Sequence, residues 1–99
     1  MATKKHREKQ VEARISERAR EHAGTAYKFT SPSRRSVPDR LIAVPCMAWL
    51  GLFLVEAKAE GEVPTKPQER EHERLRKVGA CVSWVDGYPV VDFMFEVFF

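Results

Sequence analysis

Apolar residues recur at every fourth position near the start of the chain: Val11, Ile15, Ala19 and Ala23. That spacing makes one narrow stripe on a helix and predicts helix over residues 5–23. Gly24 then follows as the residue free to take a positive φ. The period next shortens to two. "TAYKF" (25–29), "RLIAV" (40–44) and "LFLVEAK" (52–58) read as strands, enriched in the β-branched and aromatic residues that suit a pleated surface. "TSPSRRSVPD" (30–39) between the first two is a loop by composition, and "PCMAWLG" (45–51) is a turn region that makes the second and third strands a hairpin. A second helix is predicted from Lys66 to Val78. Thr65 and Gln68 have the capping-box spacing, Pro67 fits the first turn and Gly79 ends the helix. "ACVSWV" (80–85) is a further strand.

The tail "YPVVDFMFEVFF" (88–99) fits either a strand or a final helix. Its apolar residues fall on every side in both cases, so it must be covered, and a second subunit is the expected cover. The predicted order is α-β-β-β-α-β plus this tail. The fold class is α/β, a small mixed sheet flanked by helices. The passage through residues 52–85 suits a strand–helix–strand crossover.

Ninety-nine residues suit a single domain, here read as 1–99 with residues 1–10 a basic end prone to fray and 88–99 a dimer contact. Charge is unevenly spread. Residues 1–40 carry eleven Lys/Arg against five Asp/Glu, net +6, whereas residues 41–99 carry six against nine, net −3. A basic half fits an anionic partner such as nucleic acid, and it also fits an ordinary solvated surface. Cys46 and Cys81 lack CxxC spacing and sit among apolar residues, which points to free buried thiols in a reducing, cytoplasmic setting. No apolar run reaches the ~18 residues of a membrane span, and "MATKKHREKQ" contains no signal-peptide core.

Chemistry enters at the strand ends. On the third strand Leu54, Glu56 and Lys58 share one face, and Phe53, Val55 and Ala57 share the other. The second face is wholly apolar; the first turns charged as the strand ends. Glu56 and Lys58 lie about 7 Å apart along it. A hairpin would bring Asp39, at the start of its first strand, beside them. Two carboxylates and a backbone carbonyl make an oxygen-only site of the kind Mg²⁺ takes, and a lysine beside it can orient water or meet charge on phosphorus. The same three residues also fit a strand-end ion pair next to a turn aspartate. His72 has no second ligand at metal spacing, so a structural or surface role is expected of it. Trp84, in a core-like strand, reads as packing, while Trp49 in the turn stays open to base stacking.

"SPSRRSVPDRLI" and "FLVEAKAEGEVPTKPQEREHERLRKVGACVSWV" together resemble the VRR-NUC family of the PD-(D/E)xK, restriction-endonuclease-like nucleases. The likeness runs from about Glu12 to Asp86, and the chain looks like a stand-alone domain of the sort phages carry. The resemblance implies that Asp39 and Glu56 are the metal-binding carboxylates, that the Ala57 carbonyl is a further ligand and that Lys58 is the catalytic lysine. Glu12, about 100° around the first helix from Val11, matches an acidic residue that holds metal-bound water; an exposed salt-bridging role fits it equally. Gln68 matches a glutamine near the metals, and its capping-box role stands beside that one. Ser36 stands where the family often has Gly.

Arg34 and Arg35 lie in the loop leading to the site and are read as phosphate clamps, with Lys28 and Lys66 behind them. Arg70 and Arg74 read more simply as part of a salt-bridged helix surface. The expected function is a Mg²⁺- or Mn²⁺-dependent deoxyribonuclease that cleaves branched, flap or four-way-junction DNA as a homodimer. The competing readings are a nucleic-acid-binding module without catalysis and a structural dimerisation protein.

Overall fold

The predicted stripe is the anchor of the first element. α1 (Glu8–Glu21) buries Val11, Ile15 and Ala19 completely. The computed structural model describes residues 6–31, 34, 36–44 and 52–98. Arg35, Cys46, Trp49 and the 45–51 turn lie outside the described residues. β1 (Thr25–Lys28), β2 (Arg40–Ala43), β3 (Leu52–Ala57) and β4 (Val82–Val85) form one sheet in the order β1-β2-β3-β4. β1–β2 and β2–β3 are antiparallel, and β3–β4 is parallel. α2 (Lys66–Lys77) lies between the two parallel strands in the chain.

Strand alternation sorts the sheet into two faces. Ile42, Phe53, Val55, Ala57 and Val85 point to the side covered by α1 and α3 (Tyr88–Phe98), where they meet Val11, Ile15, Ala19, Val91, Met94 and Phe95 in one core. Leu54, Glu56 and Trp84 take the other side, toward α2. Trp84 is half-buried in β4, opposite Glu56 in the register.

The tail resolves as a helix. Its apolar residues at i, i+3 and i+4 (Val91, Met94, Phe95) reach the core, and Arg14 of α1 donates from Nε and Nη2 to the two carboxylate oxygens of Asp92, both at 2.9 Å. Phe93 and Val97 are exposed on the opposite side. The basic end is tied down from residue 6 onward. The His6 amide donates to Glu60, and the His6 ring stacks on Tyr88 with centroids 3.7 Å apart. Among the described residues, no helix is long and apolar enough to cross a membrane.

Both helix ends preceding strands close with the same paired hydrogen bonds. After α2, the amides of Gly79 and Ala80 donate to the carbonyls of Arg76 and Leu75, with Gly79 at φ 95°. After α1, the amides of Ala23 and Gly24 donate to those of Arg20 and Ala19. This is the Schellman arrangement. At α1 the left-handed residue is Ala23, φ 62°, and not Gly24. Gly24 serves a different need. A Cβ there would stand 2.3 Å from both the Ala43 carbonyl oxygen and Val44 Cγ1, so glycine lets the helix exit pass hard against the end of β2. Ser36 is also left-handed at φ 64°, the conformation that glycine takes without strain.

Adjacent substitutions therefore have opposite signs. Ala23→Gly relieves a left-handed alanine and raises stability by about 0.5–1 kcal/mol. Gly24→Ala overpacks a backbone contact and lowers it by about 2 kcal/mol or more. Chemical denaturation of the two variants checks the pair.

Candidate metal centre

The site is built at the end of β3. The β2–β3 register pairs Arg40 with Val55, so one step outward Asp39 stands beside the strand end. The Ala57 amide donates to Asp39 Oδ1 at 3.1 Å, and the Asp39 carbonyl accepts from the Phe29 amide at 2.8 Å. Pro38, fully buried, fixes the approach. Asp39 is thus held from both sides before any ligand is considered. By strand alternation the Ala57 carbonyl lies on the same side as its amide, toward Asp39.

Carboxylate oxygens of Glu8, Asp39 and Glu56 lie within 4.8 Å of one another. Glu8 comes from the first turn of α1, where a negative charge is favoured by the helix dipole. Glu56 is 4% exposed and its Oε1 has no hydrogen-bond partner. An unpaired buried carboxylate oxygen is costly in a folded chain. Burial first, and then the neighbouring Glu56 and Glu12, push the Asp39 carboxyl up to about 6, against the opposing Ala57 hydrogen bond and Arg40. Glu8 reaches solvent yet is partly desolvated, and this together with Glu12 raises its carboxyl above its ordinary value, while Lys58 pulls it down.

These observations fit a hard divalent cation. Oxygens bound at about 2.1 Å around one Mg²⁺ lie roughly 3–4 Å apart, close to the spacing here. The group is all carboxylate, which suits Mg²⁺ or Mn²⁺ better than zinc. Lys58 follows directly on β3, half-buried, with its amide on the Val85 carbonyl at 2.8 Å.

The other expected residues are placed as follows. Glu12 is not in the trio; its carboxylate pairs with Arg40. The reason is strand alternation. Arg40 shares the core face of the sheet with Val55, beneath α1, and Glu12 is the α1 carboxylate that meets it. Glu8, one turn earlier, reaches the strand end. Gln68 Oε1 accepts from the Thr65 amide at 2.9 Å, closing the capping box. Arg34 is bound to Glu71 of α2 through Nε at 2.8 Å. Lys28 is exposed on the edge strand β1, and Lys66 pairs with Glu69 at 3.3 Å on the surface.

His72, expected from the sequence to have a structural or surface role, is buried beside Glu56. It is 2% exposed, and its Nε2 stands 3.9 Å from Glu56 Oε1, each atom without a hydrogen-bond partner. The available signal was its i, i+4 relation to Gln68, which puts both on one face of α2.

No family model matches the chain. "Putative nuclease p44" of Acyrthosiphon pisum secondary endosymbiont phage 1 is 46% identical over 80 residues, spanning 81% of this chain and 83% of that protein. A solved structure described as "VRR_NUC domain" aligns with a TM-score of 0.83 and 33% identity, over 95% of this chain and 99% of that one. The chain belongs to the VRR-NUC family. Its sheet, with helices on both faces, is the restriction-endonuclease-like core that VRR-NUC domains share, and the trio sits at the end of β3 in that core.

The raised Asp39 carboxyl gives a signed prediction. Its ordinary value is 3.8 and its folded value about 6. Between them the folded state holds more protons than the unfolded chain, so this group's contribution falls as pH rises through that window and stays low above it. In chelator, Asp39→Asn is therefore more stable than wild type at pH 7.5, on the order of 1 kcal/mol after allowing for solvent screening, and the advantage disappears near pH 4. Added Mn²⁺ reverses the ranking by stabilising wild type alone. Thermal melts of both proteins against pH and Mn²⁺ test this.

Proposed function

We propose that this VRR-NUC chain is a divalent-metal-dependent nuclease that hydrolyses phosphodiester bonds of DNA. The observation that carries the reading is the trio of Glu8, Asp39 and Glu56, with an unpartnered buried oxygen on Glu56 and Lys58 two residues further on. Glu8, Asp39, Glu56 and the Ala57 carbonyl would hold Mg²⁺ or Mn²⁺. When bound, the cation supplies Lewis acidity, drawing charge from the phosphodiester and making water a better nucleophile.

The chain's own residues do the rest. The Ala57 amide keeps Asp39 in place. Burial of Glu56 on the α2 side of the sheet, beside His72, excludes water from one side of the site. Lys58 orients the attacking water and meets the charge that builds on phosphorus as it is attacked in line with the leaving oxygen. His72, on the face of α2 that looks at β3, limits how Glu56 can turn.

This chemistry needs no base-edge contact, so sequence preference is weak and the shape of the DNA decides where it cuts. The substrate class is branched DNA: flaps or four-way junctions. The exposed Phe93 and Val97 of α3 are the face through which two copies would pair, setting two sites about a two-fold axis.

Lys58→Ala is expected to lower cleavage with Mg²⁺ by about 10²–10⁴-fold while DNA affinity and Mn²⁺ affinity stay near wild type. Wild-type protein that binds DNA yet never cleaves it with Mg²⁺ or Mn²⁺ would leave a binding module in place of a nuclease. Cleavage rates on duplex, flap and four-way-junction substrates measured side by side test the substrate class; equal rates on all three remove shape selectivity.

A further inference from the structure

Between α2 and the loop that leads to Asp39 lies a cleft of about 300 Å³ lined by Arg34, Ser36, Pro67, Arg70, Glu71 and Arg74. Its construction is unusual for a surface salt bridge. Glu71 is 5% exposed, yet both its arginine partners are about half exposed. Arg34 donates to it from Nε at 2.8 and 3.2 Å and from Nη2 at 3.1 Å. Arg74 donates from Nε at 3.1 and 3.0 Å and from Nη2 at 3.0 Å.

Each guanidinium therefore spends one edge, Nε with Nη2, on the same buried carboxylate. The opposite edge of each, which carries Nη1, is directed away from it. That edge is a planar fork of two N–H donors, the geometry that pairs bidentately with a phosphate. One carboxylate cannot balance two guanidiniums, and Arg70 on the same wall adds a third positive charge. Hydrogen bonds from Arg74 and Arg34 hold the Glu71 carboxyl down at about 2, so the anchor stays charged at any pH where DNA is intact.

We propose that this cleft is a phosphodiester-binding subsite for the nucleic-acid backbone, and that Glu71 is the positioning residue that aims Arg34 and Arg74 into it. The inference rests on the nuclease reading for the identity of the ligand. Its placement also fits that reading. Glu71 is adjacent in sequence to His72, which faces Glu56, and Ser36 is three residues before Asp39. The cleft is thus built from α2, whose His72 borders Glu56, and from the loop that leads to Asp39.

The test uses the whole chain, a short fluorescein-labelled DNA duplex in chelator, and anisotropy at several salt concentrations. Arg34→Lys and Arg74→Lys keep the charge and remove the fork; each is expected to weaken binding about 5–20-fold. Arg70→Ala is expected to lower the slope of log affinity against log salt by about one. Glu71→Gln is the decisive variant. Removing a negative charge from a DNA-binding protein ordinarily tightens binding, whereas loss of a positioning anchor weakens it. Weaker binding by Glu71→Gln, about 5-fold or more, supports the subsite; tighter binding overturns it.

Glu71→Gln can fail to fold, in which case the two lysine variants and Arg70→Ala decide. Unchanged affinity and salt slope in those three, with melting temperatures near wild type, would reduce the Glu71 cage to a staple between loop and helix. Mn²⁺ affinity, read by calorimetry, is expected to stay at the wild-type value in all four. A wild type that binds duplex through the cleft but cleaves none of duplex, flap and four-way-junction DNA with Mn²⁺ defeats the nuclease reading and leaves the subsite standing, so the two failures are told apart.

Discussion

The hydrogen bond from the Ala57 amide to Asp39 Oδ1 ties together residues eighteen apart in the sequence. The β2–β3 register brings Asp39 beside the end of β3, and this bond fixes its carboxylate there. With it, a third acidic oxygen from α1 completes a trio that is electrostatically unfavourable by itself. Two unit charges 4.8 Å apart repel by about 3.5 kcal/mol at an effective dielectric of 20. The opposing force comes from the core directly behind the site. Val11, Ile15, Ile42, Val55, Val85, Val91 and Phe95 are all essentially inaccessible, and each contributes roughly 1.5–3 kcal/mol. The scaffold is strong enough to hold charges where they repel, and such a place is where a cation binds well.

The frame was legible because its signals are local. The Val11–Ile15–Ala19 stripe, the Thr65/Gln68 box, Gly79 and the alternation through β3 each depend on residues within one or two turns. The ambiguous tail was undecidable on those terms: a uniformly apolar stretch has no period to read, and helix won because Val91, Met94 and Phe95 fit the space beside α1. The Gly24 reading failed for a similar reason. Composition says that glycine is near a helix end, but only the approach of Ala43 and Val44 shows that its missing side chain, rather than its φ, is what the fold uses.

In the site, the residues named by the PD and ExK pattern are on one strand end, as their spacing suggested. The helix carboxylate is where sequence and structure diverge. Glu8 and Glu12 share one face of α1, and nothing local separates them. What separates them is Arg40, a charge on the core side of a strand that needs a partner. Following the alternation of β2 one residue further would have assigned Glu12 to Arg40 and left Glu8 for the trio. Glu71 and His72 were hidden in a run of charges, "QEREHERLR", that reads as a solvated helix surface. Such a run conceals buried members because composition reports charge and not direction.

That run also explains how a domain of this size holds the carboxylate trio and the arginine-lined cleft in register. Consecutive residues on a helix point about 100° apart, so Gln68 and His72 look at the sheet while Glu71 and Arg74 look at the loop. The loop in turn carries Arg34 and Ser36 on one side and Asp39 on the other, separated by a left-handed serine and a buried proline that leave it little freedom. Cleft and trio are consequently joined twice, once through α2 and once through the loop. A single connection would let the two sites hinge. Two connections, cross-linked by the Arg34–Glu71 bonds, fix the separation between them, and in the proposed nuclease a fixed separation would let a backbone held at one phosphate present another to the carboxylates.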